Sequence, residues 1–561
     1  MSIAAQRTIK LCVALMLMAL ALLAIPGAAQ RSLEGFDEVI EVSVINVETV
    51  VTDRSGKRVR GLTADDFRLW VDGVEVPIDY FSEIVDGDSR SRSGEEDAAG
   101  EVDSVRVPTN LLVFIDDYFA LGAERDVVLG NVERQIAGLE PGDSAAVLAF
   151  DGKRLEVLSP WTDSVDELQG VLAQARKRKA YGIHRRAELR SYLRNRGSGG
   201  ALPVSVGAGN TFLGRPDIVS ATSEMANYLA YAGRIELQLD GMVAAATAGM
   251  RGLPAPEGRK VMLLLAGGWP LQAAMSSRLR GVTTGSELER DLALRSTQAE
   301  RGLSLFSRLT ETANNLGYTL YPVDVPGLKW NGPEAGADVP GTTGNEFEQL
   351  EEATLRILAR ETGGRALVNG LRTDALETTL ADVDSYYWLG FAAERMRDGR
   401  AHTIRVEAVG DGLETRSRRS YVDVDREEEA ALLVEAGLLV GEGEQRSALG
   451  VELGETKRVG LRKMVVPILL EIPLSELTLV PGGDRIGASV EITLGVMDKG
   501  RHMSDIVSVP ARLVGPAVLR GNERASYRID ATLRRQRHDL VVTVRDALSG
   551  DVLSSRVQVT P

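Results

Sequence analysis

Cysteine is nearly absent from this chain. Cys12 is the one example, and it lies inside the N-terminal apolar stretch. If that stretch is removed after export, disulfides, thiol nucleophiles and cysteine metal sites are all excluded. Positive charge is also in deficit, with 65 Lys and Arg against 80 Asp and Glu, a formal net charge of −15. A sequence pI near 5.1 argues against nucleic acid as the main partner, because phosphate binding needs a dominant basic footprint. Local catalytic patterns are missing too. His184, His402, His502 and His538 are far apart, and the chain has no HExxH, Gly-x-Ser-x-Gly or Walker loop. With so many carboxylates, no pair stands out as acid and base, so no catalytic residue is assigned.

The N-terminus has the form of an export signal. Arg7 and Lys10 precede the apolar run Leu11 to Ile25, and Pro26-Gly27-Ala28-Ala29 offers small residues for cleavage before Gln30. The run is short for a membrane span, which takes about 20 residues. An uncleaved anchor is the competing reading. No second long apolar segment follows, so the expectation is an exported chain, periplasmic or extracellular, with no transmembrane segment after residues 1–29.

The stretch Asn110 to Asp117 reads NLLVFIDD, an unbroken apolar run closed by two carboxylates. Such a run fits a strand buried on both faces of a parallel sheet and ending at a polar edge. Similar runs recur at Ala145 to Phe150, Lys260 to Ala266 and Tyr318 to Val323. Helical spacings fill the gaps at Arg125 to Leu139, Val165 to Arg178, Asp217 to Met250, Glu287 to Leu316 and Glu346 to Thr362. Alternating strands and helices imply a doubly wound, mostly parallel sheet. In such a sheet ligands bind at the carboxyl ends of the strands.

Those strands, the text VVTDRSGKRVRGLTADDFRLWVDGVEVPIDYF at Val50 to Phe81, and YYWLGF from Tyr386 with the segment to Tyr421, resemble the "VWFA-related domain" proteins of the Acidobacterial type. The resemblance covers roughly residues 38 to 422 and implies a von Willebrand factor A-like fold with a terminal hairpin, Tyr386 to Phe391 against His402 to Val409. It also implies a metal-ion-dependent adhesion site, in which oxygen ligands from Asp-x-Ser-x-Ser, a Thr and a second Asp hold a divalent cation. Asp116 keeps the first position. Tyr118 and Ala120 replace both serines, and Gly267-Gly268-Trp269 stands where Thr-Asp-Gly belongs. Thr211, beside Asn210 in the Gly207 to Gly214 loop, is the remaining Thr candidate, and Asp117 the remaining substitute oxygen. The site therefore reads as degenerate, with no cofactor and at most weak magnesium or manganese binding. The same edge carries Tyr118, Phe119, Asn210 and Trp269, residue types that make interface hot spots, or that pack beneath an insertion.

The remaining text divides the chain into a small β module at 38–85, with a hairpin turn at Asp72-Gly73, a charged Gly/Ser-rich linker at 86–107, and the α/β domain at 108–422. Residues 423–458 form a bridging helix or linker, and seven short strands over 459–561 suggest an immunoglobulin-like sandwich. The basic run Arg176 to Arg196 fits either an anionic surface or a helix face pairing with the protein's own carboxylates. The expected function is non-enzymatic recognition of a protein or an envelope surface. The alternatives are an envelope-polymer hydrolase and a structural spacer.

Overall fold

The computed structural model of the chain describes residues 42–90, 105–185, 187–188, 217–269, 305–327, 343–394, 397–440, 448–482, 485–504, 506–516 and 523–561. The predicted export signal, Asn210, Thr211 and most of the predicted 86–107 linker lie outside them. The fold is a mixed α/β arrangement with several sheets, and most of its strand pairs are antiparallel. Residues 44–392 and 397–561 fall in one compact unit.

One five-stranded sheet has the order Tyr318–Asp324, Arg259–Ala266, Thr109–Asp116, Ser144–Phe150, Leu155–Thr162. The first four run parallel and the last pairs antiparallel with Ser144–Phe150 at the edge. Every residue of Thr109–Asp116 and Ser144–Phe150 is buried, as their unbroken apolar text requires. Even-numbered side chains of the first strand, Leu112 and Phe114, join the cluster with Leu239, Met242 and Val243 from helix Asp217–Gly252. Odd-numbered ones, Leu111, Val113 and Ile115, join the opposite cluster with Val128 and Val132 of helix Gly122–Gln135 and Leu172 of helix Val165–Ala175. The period-two alternation of a strand thus feeds two cores at once. Ser164 caps the second of these helices, its hydroxyl accepting from the Glu167 amide as its position predicts.

The N-terminal strands do not form a module of their own. Tyr80–Val85 pairs with Ser385–Glu394, Phe67–Val71 with Ala401–Ala408, and Val42–Thr52 with Glu414–Ser417. The expected hairpin of Tyr386 to Phe391 against His402 to Val409 is replaced by these longer-range pairings, which place the two segments in different sheets. Aromatic packing favours these pairings, since Phe67 and Phe81 of the N-terminal strands pack with Tyr387, ring centroids 5.0 to 5.9 Å apart. Asp72 and Gly73 do make the tight turn, both with positive φ. The start of the predicted linker is a strand instead. Asp88–Arg90 pairs with Glu83–Val85 and with Val105–Arg106, using backbone hydrogen bonds that need no apolar side chain.

Toward the C-terminus two antiparallel sheets face each other. One is built on Lys463–Pro473 and Arg524–Arg534, the other on Arg485–Asp498 and His538–Asp546. Met464, Val466, Ile468 and Leu470 from the first meet Val490, Ile492, Leu540 and Val542 from the second. Gly450–Leu453 and Lys457–Val459, which the sequence places in a linker, add to the first sheet. Helix Arg426–Val440 buries Ala436 and Val440 in the α/β core, and Val434 and Leu438 against Met497 and Val541 of the C-terminal strands.

Candidate functional site: the carboxyl edge of the parallel sheet

Asp116 ends the central strand and has no exposed surface. Its Oδ1 accepts from the amides of Tyr118 at 3.0 Å and Phe119 at 2.8 Å. Its Oδ2 accepts from the Gly267 amide and the Trp269 indole Nε1, both at 2.9 Å. The carboxylate is thus saturated by four N–H groups, which occupy the lone pairs that a hard cation would need. Burial pushes the Asp116 carboxyl up to about 6, with the Phe119, Trp269 and Gly267 donors pulling the other way.

Asp117 is equally buried and faces two guanidiniums. Arg125 Nη1 donates to Oδ1 at 2.5 Å and Arg178 Nε to Oδ2 at 2.8 Å. Burial raises its carboxyl above the usual range against the pull of Arg178 and Arg125. Arg125 is itself 1% exposed, and its Nη2 donates to the carbonyl of Arg178 at 2.8 Å. Two cationic side chains thus occupy the anionic strand end. Neither appears in the sequence-based residue set. The available signal was Arg125 in the first turn of a helix, where the helix dipole disfavours a cation unless a specific partner holds it.

Backbone close packing completes the edge. A methyl on Gly267 would overlap the Ala120 nitrogen and the Phe119 carbonyl carbon, and one on Gly182 would overlap the carbonyls of Phe119 and Ala120. The amides of Tyr181 and Gly182 donate to the carbonyls of Asp117 and Ala120 at 2.8 and 3.0 Å. The 181–185 segment therefore lies over the loop that a metal-binding Asp-x-Ser-x-Ser would occupy.

The predicted hot-spot residues separate here. Trp269 is fully buried and stacks on Phe306 at 6.0 Å, and Phe119 is 4% exposed beneath the Arg185 guanidinium at 4.7 Å. Neither offers a surface; both are packing, Phe119 beneath the covering segment and Trp269 against Phe306 and Asp116. Tyr118 alone is half-buried, lying over Gly152. In the described part of the basic run Arg178 reaches the buried Asp117 and also pairs with Glu156, and Arg176 pairs with Glu133 at the surface, while Lys177 and Lys179 are exposed. Among the described residues no group of three or more His, Cys, Asp or Glu is placed to hold a metal ion, and no helix is long and apolar enough to cross a membrane.

A separate open cleft of about 990 Å3 includes Asp374, Glu377 and Glu414 among its walls, with Arg58, Arg365 and Arg416 between them. Its innermost carboxylate, Asp382, is engaged by Arg58, by Arg416 Nη2 at 2.6 Å and by the Tyr321 hydroxyl at 2.7 Å.

No family profile and no curated protein matches the chain. Among solved structures, the Northeast Structural Genomics Consortium target SoR45 aligns at 13% identity with a TM-score of 0.15, over 21% of this chain and 86% of that one. A Bacteroides uniformis β-glucuronidase aligns at 10% identity, also with a TM-score of 0.15, over 33% of this chain and 20% of that one. These scores are too low to transfer a fold or an activity.

Proposed function

We propose that this is an exported, non-enzymatic interaction protein whose central domain is von Willebrand A-like and whose adhesion-site cation has been replaced by internal donors. The supporting strand pattern is a parallel core with an Asp ending its first strand and an antiparallel edge strand. The single observation that carries the proposal is the saturation of Asp116 by four N–H groups beside an Asp117 held between two guanidiniums. A cation arriving there would have to displace donors that cannot turn away, since three of the four are backbone amides. Recognition by this domain is therefore metal-independent, through the loops at the sheet edge. An immunoglobulin-like pair of sheets follows it in the chain.

Calorimetry of the full chain with magnesium and then manganese tests this. The expected result is no saturable heat at millimolar metal. Micromolar binding that Asp116→Ala abolishes would return the protein to the metal-dependent class.

A hydrolytic reading has one observation in its favour, the carboxylate-lined cleft at Asp374, Glu377 and Glu414. It ranks second because arginines are interleaved with those carboxylates and Asp382 is already consumed. Turnover of an envelope polysaccharide that Glu377→Gln abolishes would reverse the order.

A further inference from the structure

At the opposite, amino-terminal edge of the parallel sheet, a cavity of about 150 Å3 opens where strands Arg259–Ala266 and Tyr318–Asp324 begin. That volume has room for about ten waters. Gly258, Gly317 and Gly363 line it and contribute no side chain to fill it. Its charged wall is Arg259, Lys260 and Arg418 against one carboxylate, Glu48.

The single carboxylate is already in use. Glu48 Oε2 pairs with Arg259 Nη2 at 2.9 Å and accepts from the Thr319 hydroxyl at 3.2 Å. Among the described residues Lys260 and Arg418 have no carboxylate within ion-pair distance; Lys260 Nζ donates to the Leu316 carbonyl at 3.1 Å, and the Arg418 guanidinium donates to the carbonyls of Asn314 and Asn46. Carbonyl dipoles solvate a cation without neutralising it, so positive charge is left in excess in a partly desolvated space. Burial accordingly pushes the Lys260 ammonium below its usual value and the Arg418 guanidinium down to about 10. Cations on a cavity wall that only carbonyl dipoles solvate are what a bound oxyanion would neutralise.

We infer that this cavity binds a small oxyanion, a phosphate or a carboxylate group, held by Lys260, Arg259 and Arg418. It is a second site, at the edge of the sheet away from Asp116, and its occupancy is independent of any metal.

The test is calorimetric titration of the full chain in low-chloride buffer with inorganic phosphate and, separately, acetate, with sodium chloride at matched ionic strength as the charge control. Saturable binding of phosphate or acetate beyond the chloride response is expected. Whichever of the two binds identifies the headgroup chemistry. Lys260→Met keeps the stem and removes the charge, and should weaken binding about tenfold or more, the scale of one charge-assisted hydrogen bond. Glu48→Gln removes the competing carboxylate and should tighten it. A variant that merely damages the fold weakens binding, so the opposite signs separate recognition from damage, and Glu48→Gln decides alone if Lys260→Met does not fold. A response no larger than that to chloride, or an affinity unchanged in the variants, overturns the inference.

Discussion

Replacing Asp116 by Asn keeps the shape of the side chain and reverses part of its hydrogen bonding. In either amide orientation an NH2 group faces two N–H donors, those of Gly267 and Trp269 or those of Tyr118 and Phe119. Each stranded buried donor costs about 1–3 kcal/mol, so the geometric penalty is about 2–6 kcal/mol. Against this stands the expense of keeping Asp116 ionised. Its folded-state pKa is raised from 3.8 to about 6, so its favourable contribution is full below pH 4 and is lost as pH rises through 6. At about 1.36 kcal/mol per pH unit, that contribution is about 2–3 kcal/mol larger at pH 4 than at pH 7. Asn does not titrate. The penalty of Asp116→Asn should therefore be largest at pH 4 and shrink by about 2–3 kcal/mol by pH 7. Urea unfolding of both proteins at pH 4, 5, 6 and 7, followed by tryptophan fluorescence, measures it. The difference between the two proteins cancels the titration of the other carboxylates. A penalty that stays flat or grows with pH would refute the reasoning, because the four donors would then be holding the carboxylate ionised at all of these pH values.

Arg125→Met strips a buried carboxylate of one cation and should destabilise the chain by about 3–5 kcal/mol in urea melts, part of which Asp117→Asn in the same chain restores. A loss below about 1 kcal/mol would mean that Arg178 alone suffices. Gly267→Ala forces a methyl into the 119–120 backbone and should cost at least about 1–3 kcal/mol by thermal unfolding, together with quenching changes at Trp269. Asp382 behaves with the opposite sign to Asp116. Burial works to raise its pKa, but Arg416 and Arg58 outweigh it and hold it below 3.8, so its contribution is present above that value and is lost as pH falls through the folded pKa. Asp382→Asn should accordingly destabilise strongly at pH 7 and progressively less below pH 4, as read from the same kind of urea series.

The four parallel strands were legible to within a residue or so at most ends, because a strand buried on both faces must be written as an uninterrupted apolar run. Thr109–Asp116, Ser144–Phe150, Arg259–Ala266 and Tyr318–Asp324 all have that form. Leu155–Thr162 escaped notice because it is an edge strand, half-exposed and interrupted by Pro160, which only an edge tolerates. The partners of the N-terminal strands were equally hidden. Each strand could be read locally, whereas pairing Leu69 with Val406, over three hundred residues away, depends on side-chain packing that no local pattern encodes. At the site, the two carboxylates were found from their position at the strand end. Their partners were not, since Arg125, Arg178 and Trp269 reach them from three separate segments of chain. Trp269 shows the limit most clearly, because an aromatic residue at a strand end looks the same in sequence whether its indole N–H faces a partner or an internal carboxylate.

Helix Arg426–Val440 has a mechanical consequence. Linked modules ordinarily swing about their connection, but these 15 residues give opposite faces to two different cores. Force applied at the C-terminus enters the α/β half through a packed rod, braced by Arg308 on Glu435 and by Arg545 on Glu429. The C-terminal strands are thereby fixed in orientation against the central sheet. Cutting the chain ahead of the helix would free that sheet from the C-terminal strands and also bare the apolar surface that Ala436 and Val440 cover.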